Sequence, residues 1–444
     1  MTTVQSSRAS EWPATPIQRW ITAQDQAVPQ SGYWVLPFTW TVDGQVDWPA
    51  FTRAFEAICD RYPVLLAATR RRADGWVQEV QPFADVPMQL RDATGLAGKE
   101  RDQFLLARYE EYCRTPFNLA EQPPIRVLVI QLDSEFLVFG AYHQTVCDIE
   151  SMAIFIAEFT SLYESFTLGR QPDLPPVTMD FATYAASVVP SSRQREVDNI
   201  AFWRERLRDQ RLEYPLPVDY PDGVRNPVGP TAYVKIGAQA TALAVHAIAT
   251  ENRCSEYAVL LSVFAFVLAK RSGQPSIVLS CPISRRRSPD LFGVFGPLTD
   301  MTWLRVDVRD TLRETIQPTF HAILESLSRP CPIDLLTGEA PDGESGLPAG
   351  PNIQSQFFPP ERVANPDWVT SSVKVKDVMP VYLLTGPLHS PFWLDLTIAG
   401  ERKQPDTDFS LVYRCDLFHP DTVRALAAEI EQCVLDYPTQ ARSS

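Results

Sequence analysis

Histidine is scarce in this 444-residue chain, with five in all: His143, His246, His321, His389 and His419. None is spaced as a metal pair, which argues against a histidine-built metal centre. There is no Gly-Gly pair, no GxGxxG, no GxxxxGK[ST] loop, no HExxH and no GxSxG elbow. Those absences exclude the usual dinucleotide, nucleotide-phosphate, zinc-protease and serine-hydrolase signatures. The 8 cysteines lie far apart and form no CxxC, so neither a zinc ribbon nor a disulfide framework is expected, and reduced thiols in a cytoplasm fit best. Long hydrophobic runs are missing too. The longest, Tyr257–Ala269, is interrupted by Ser262, is too short to span a bilayer and reads as a buried helix. The N-terminus, MTTVQSSRASEW, has no apolar core and is not a signal peptide. Positive charge is in deficit, with 40 Lys+Arg against 54 Asp+Glu and a net charge of -14. Nucleic acid and anionic membranes would repel such a surface, so neither is expected as a partner.

What is present is an ordinary globular composition, 45% hydrophobic and 21% charged, in a chain long enough for two or more domains. Strands alternate with amphipathic helices. Tyr33 to Val42 reads as a strand, and Asp47 opens a helix whose apolar face is Trp48, Phe51, Phe55, Ile58 and Tyr62. Ile125 to Leu132 and Glu135 to Tyr142 read as a hairpin turning at Asp133-Ser134. Met152, Phe155, Ile156, Phe159, Tyr163 and Phe166 mark another helix, followed by a proline-marked loop from Gly169 to Thr178. Further on come helices at Phe202 to Leu207 and Tyr257 to Ala269, strands at Ser276 to Ser280, Thr302 to Val308, Phe392 to Ala399 and Phe409 to Arg414, and a closing helix after Pro420. Gly338 to Pro351 reads as an exposed loop. The class is α/β, with two lobes and a cleft between them.

One segment combines strand end, turn and helix start with chemistry-bearing side chains: Ala141–Met152, AYHQTVCDIESM. His143 and Asp148 flank the turn and Ser151 opens the helix. Strand-end loops of this kind commonly hold reactive groups. HQTVCDIES resembles the HHxxxDGxS core motif of the condensation domains of nonribosomal peptide synthetases. Other elements follow in that family's order. ATPIQRW (Ala14–Trp20) is similar to SxAQxRLW, and DRYPVLLAA (Asp60–Ala68) to RHExLRT. MDFATY (Met179–Tyr184) is similar to YxDYAxW, and FWRERL with YPLPVDYPD (Tyr214–Asp222) to YWxxxL…LPxDxP. ISRRRSPDLFGVFGPLT (Ile283–Thr299) resembles the region of a conserved Arg and the IGxFVNT loop, IQSQFF (Ile353–Phe358) the FQVMF strand, and YRCDLF (Tyr413–Phe418) the closing YxxDLF.

The resemblance covers essentially the whole chain. It implies two chloramphenicol-acetyltransferase-like lobes, residues 1–178 and 179–444, set in a V around a central tunnel. It implies acyl or peptidyl carrier proteins as partners, docking at the tunnel mouths. No cofactor would be bound by this chain itself, since the phosphopantetheine arm comes with the carrier. With no carrier or adenylation motif left over, the chain is expected to be free-standing. Ile149, Gln354 and Gln356 are the candidate tunnel-lining residues, and Asp148 is expected to pair with Arg286 as a structural bridge beside Ser151.

The departures from the family fall at the chemistry. His143 matches the first His of the motif, but Gln144 stands where the family has its catalytic His. Ile149 replaces the motif's Gly and is expected to narrow the tunnel. Leu66 stands where an Arg is usual, and GPLT where the Asn-Thr loop is usual. A glutamine amide donates and accepts hydrogen bonds but takes no proton at neutral pH, so Gln144 is no general base. Cys147 beside Asp148 is a poor nucleophile, because the carboxylate opposes thiolate formation. Two functions remain open on the sequence. One is transfer of a carrier-bound acyl group to an amine, with Gln144 and His143 at the reacting centre and no histidine base. The other is a non-catalytic docking role, similar to the X domain of glycopeptide synthetases, which lacks the same His and Gly and recruits a tailoring oxygenase.

Overall fold

A computed structural model describes residues 10–29, 31–73, 75–119, 121–188, 193–210, 212–237, 239–330, 350–358, 375–376, 389–399 and 408–437. The first half builds β1 (Glu11–Pro13), α1 (Pro16–Ala27), β2 (Val35–Asp43), α2 (Trp48–Arg61), β3 (Ala67–Arg72), β4 (Gly75–Val80), β5 (Met88–Asp92), α3 (Gly98–Tyr109), β6 (Ile125–Gln131), β7 (Glu135–His143) and α4 (Ile149–Thr167). The second builds α5 (Phe181–Val188), α6 (Arg193–Leu207), β8 (Gly229–Ile236), α7 (Gln239–Asn252), α8 (Glu256–Ser272), β9 (Ser276–Ser284), β10 (Thr299–Asp307) and α9 (Leu312–Ser328). It ends with β11 (Ile353–Phe358), β12 (Val375–Lys376), β13 (His389–Ser390), β14 (Leu394–Ala399), β15 (Asp408–Arg414) and α10 (Pro420–Leu435).

Each half is organised on one large sheet. The first runs β12-β2-β7-β6-β5 and the second β10-β9-β11-β14-β15-β8-β13, with a small sheet β1-β4-β3 beside the first. The α/β class holds. The β6–β7 hairpin turns where the sequence places it, and β6 is buried along its whole length because both faces of the sheet are covered. On one face α2 and α4 pack a ladder of aromatic rings, Phe51 on Phe159 at 4.9 Å and Phe55 on Phe155 at 5.9 Å. Asp47 caps α2, its side chain accepting from the Ala50 N–H at 3.0 Å. The helix α8 is buried through Ala269, and Ser262, its one polar interruption, donates to the Ala258 carbonyl at 2.6 Å. Gly273 ends it with φ 66°, a left-handed cap.

Several elements differ from their sequence reading. The helix expected at Phe202–Leu207 begins at Arg193, because its first turns carry no apolar period to read. Strands β9 and β10 extend to Ser284 and back to Thr299, since they pair with each other over their full length. Tyr33 and Trp34 lie just before β2, not in it. Most of the Gly338–Pro351 segment lies outside the described residues.

The two halves are interleaved. Ile17 and Ile21 of α1, with Tyr33 and Trp34, belong to the second-half core. Phe181, Tyr184 and Ala185 of α5, with Val294, Phe295 and Leu298, belong to the first-half core. First-lobe packing therefore extends past the 178/179 division expected from sequence. Strand β12 also crosses back, pairing with β2 at Val42 and Thr41.

Candidate active site

The turn between β7 and α4 is pinned from several sides. The Gln144 N–H donates to the Trp34 carbonyl at 2.8 Å, and the Val146 N–H to the His143 carbonyl at 3.0 Å. Gln18 of α1 donates from Nε2 to the Thr145 carbonyl at 2.7 Å, and its Oε1 accepts from the Thr15 N–H at 3.0 Å. The glutamine of ATPIQRW thus caps its own helix and holds the turn, a link with no local signal in the sequence.

Asp148 is the N-cap of α4. Its Oδ1 accepts from the Ser151 N–H at 2.9 Å. Its Oδ2 accepts from Arg286 Nη1 at 2.7 Å, from the N–H groups of Leu298 and Thr299 at 2.9 and 3.0 Å, and from Thr299 Oγ1 at 3.2 Å. Ser151 Oγ accepts from Arg286 Nη2 at 2.7 Å and from the Gly296 N–H at 2.9 Å. Arg286 Nη2 also donates to the carbonyls of Val294 and Gly296, both at 3.0 Å. Asp148 and Arg286 are each 2% exposed. Burial works against both charges, yet the pairing outweighs it. The Asp148 carboxyl is held below its ordinary value by the Arg286 charge and hydrogen bonds, and the Arg286 guanidinium is raised. This clamp ties the 294–299 loop of the second half to the α4 N-terminus of the first. Gly296 has φ 147°, and a side chain there would strike the Phe181 ring.

His143 is buried beside the clamp. Its Nδ1 accepts from the Thr145 N–H at 3.3 Å and sits 2.9 Å from Thr145 Oγ1. The ring proton therefore belongs on Nε2, which points at Asp25 Oδ1 from 3.7 Å and has no hydrogen-bond partner among the described residues. The turn thus engages Nδ1 and holds the His143 ring in place. Cys147 is fully buried, donates to the Asp148 carbonyl at 3.2 Å, and has its thiol pushed well up by burial and by the Asp148 charge. Ile149 packs partly buried against the first-half core. Gln144 itself is half-buried, and its side-chain amide makes no hydrogen bond among the described residues.

Gln354 and Gln356 sit on β11, which is linked to this turn through Tyr33 and its neighbour Trp34. Both alternate to the face opposite Ile353, which lies in the second-half core. Tyr33 bridges to them, its hydroxyl 3.5 Å from Gln354 Oε1. Both glutamine amides converge on Asp395 of the neighbouring strand β14. Gln354 Nε2 donates to Asp395 Oδ2 at 3.0 Å, and Gln356 Nε2 donates to the same oxygen. Asp395 is 5% exposed and its Oδ1 has no partner among the described residues. Burial pushes its carboxyl up to about 7 against the opposing pull of the Gln356 and Gln354 hydrogen bonds. Asp395 escaped the sequence reading; its only signal is an acid inside the apolar run WLDLTIA.

The comparisons with known proteins fit this arrangement. Residues 8–442 match the family model described as Condensation domain. The chain belongs to the condensation-domain family. It is 27% identical over 295 residues, 65% of its length, to the chondramide synthase cmdD of Chondromyces crocatus. It is 22% identical over 433 residues, 94% of its length, to the nonribosomal peptide synthetase agiA of Aspergillus flavus. It spans only 7% and 5% of those two proteins. Among solved structures, the X-domain from teicoplanin biosynthesis superposes with a TM-score of 0.79 at 21% identity, covering 97% of this chain and 96% of that one. The complex of the X-domain and OxyB from teicoplanin biosynthesis matches equally, covering 97% and 95%. These likenesses establish the condensation-domain fold and a relation to nonribosomal peptide synthetases. Among the described residues no single helix is long and apolar enough to cross a membrane.

Proposed function

We propose that this protein transfers an acyl group, delivered as a thioester on the phosphopantetheine arm of an acyl or peptidyl carrier protein, to an amine. The observation that carries the reading is the state of Gln144. Its backbone is fixed by the Trp34 carbonyl at 2.8 Å, while its side-chain amide is unengaged among the described residues at the junction of the two halves. An amide held there can orient an amine or donate to a developing oxyanion. A general base is worth about 10²–10⁴-fold, whereas positioning two reactants is worth about 7–11 kcal/mol. A thioester is already activated, so loss of the histidine slows the reaction without removing its main source of acceleration. Alcohol acceptors suffer more, because their proton must leave as attack occurs. The test is turnover of one acyl-loaded carrier protein with an amine and its matched alcohol. The amine should be acylated faster, and faster alcohol acylation would refute the reading.

A second reading is docking without chemistry, with a tailoring oxygenase or a synthetase as the guest. What favours it is the motif, in which Gln144 stands in place of the histidine base and His143 is tied to the turn through Nδ1. The X-domain from teicoplanin biosynthesis has been solved in complex with OxyB. In this reading carrier proteins still bind, but the acyl group stays on the carrier.

A further inference from the structure

Asp395 is the strongest feature of the molecule that the family motifs leave unexplained. It is a carboxyl group 5% exposed, with one oxygen taken by two glutamine amides and the other bare among the described residues. Neither its hydrogen bonds nor the charges acting on it include an arginine, lysine or histidine among those residues. A buried carboxyl without a cation is costly unless a partner supplies one. Asp395 shares its sheet face with Gln354 and Gln356, opposite the face of Leu394, Leu396 and Ile353 that packs in the second-half core. Tyr33 closes the other side and fixes the Gln354 amide, so that its NH2 points at Asp395. The next residue, Trp34, holds the Gln144 N–H. Two side-chain contacts, one peptide and one backbone hydrogen bond therefore connect the bare carboxyl to the turn that has lost its histidine. Gln356, half-buried, is the edge of the cluster nearest solvent.

We propose that Asp395 holds the amino group of the acceptor and accepts its proton, so that the base has moved from the histidine motif to the facing sheet. This deepens the acyl-transfer reading and rests on it. In the step, the amine nitrogen attacks the thioester carbon, the C–N bond forms and the C–S bond breaks. The proton leaving nitrogen goes to Asp395 Oδ1 and from there to the departing thiolate sulfur. A carboxyl raised to about 7 is matched to that work near neutral pH. The other titratable groups felt here are Tyr257 and Cys281, on the opposite face of the sheet. Burial pushes Tyr257 well up and Cys281 to about 12, so neither competes for the proton.

The test is calorimetric binding of a glycyl amide of aminopantetheine, which cannot react, against its N-acetyl derivative, using the full chain. The wild type should prefer the free amine by about tenfold or more, as a charge-assisted contact requires. Asp395→Asn should bind both alike, with a cooperative melt confirming its fold. In Gln354→Met, the loss of one donor to the carboxylate should move the pH midpoint of the preference upward. A preference that survives Asp395→Asn, a wild type without preference, or an unmoved midpoint in Gln354→Met overturns the proposal. Acyl transfer at equal rates in wild type and Asp395→Asn would keep the acyl-transfer reading and discard this one. An Asp395-dependent amine preference without turnover would leave amine binding at Asp395 standing but overturn both its role as proton acceptor and the acyl-transfer reading.

Discussion

Replacing Asp148 by Asn strikes the clamp at its centre. The carboxylate accepts five hydrogen bonds, from Arg286, Ser151, Leu298 and twice from Thr299, and forms an ion pair with Arg286. The substitution leaves a guanidinium that is 2% exposed without its counter-charge. Removing one partner of a buried pair costs about 3–5 kcal/mol, most of it from the stranded charge. The pH dependence has a definite sign. The Asp148 carboxyl is depressed in the folded state, so its stabilisation is present above the ordinary carboxylate range and is lost as pH falls through the folded value. The assay is urea unfolding near neutral pH of Asp148→Asn, Arg286→Met and the double variant. The double variant should lose clearly less than the two singles together, because removing the arginine removes the stranded charge. A loss below about 1 kcal/mol in Asp148→Asn, or strict additivity in the double variant, would refute the clamp as an energetic unit.

Three further outcomes follow from the same geometry. Asp395→Asn should stabilise the protein at and above neutral pH but not below the ordinary carboxylate value of 3.8. The wild-type carboxyl is raised to about 7, so its contribution is fully present below that ordinary value, is lost progressively as pH rises to about 7, and changes no further above it. Ionising it in place costs on the order of 4 kcal/mol, at about 1.4 kcal/mol per tenfold change in proton affinity; parallel pH–stability curves for the two proteins would contradict this. Cys147, with its raised thiol and no exposure, should resist alkylation under native conditions as long as the protein stays folded, while half-buried Cys254 and Cys415 react first. Gln18→Ala removes the side-chain bond to the Thr145 carbonyl and should cost about 1–3 kcal/mol, read by chemical denaturation, through a buried carbonyl left without a partner among the described residues.

The parts of the molecule that were legible in sequence are those encoded locally. The β6–β7 hairpin shows as two β-rich runs about a short polar turn, and α2 and α4 show as aromatic residues at helical spacing. The Asp148–Arg286 contact was reachable because motif order links residues 138 positions apart. Asp395 was not reachable. Its meaning depends on β11 and β14 lying parallel, with Gln354 opposite Asp395, and no local pattern announces that register. The crossing of α1 into the second-half core was hidden for the same reason: an amphipathic helix shows which face it buries, not against which lobe. His143 was legible as a motif position, but its contact with the Thr145 N–H is a feature of the folded turn that the motif does not announce.

The proposed acyl transfer has a condensation-type site working through orientation, without a histidine base in its motif. The decisive measurement is intact-protein mass spectrometry of an acyl-loaded carrier protein, incubated with an amine and this protein or its Gln144→Ala variant. Amine-dependent loss of the acyl group is expected with the wild type and markedly slower loss with the variant. Carrier binding with no acyl loss, or equal loss with both proteins, would contradict it.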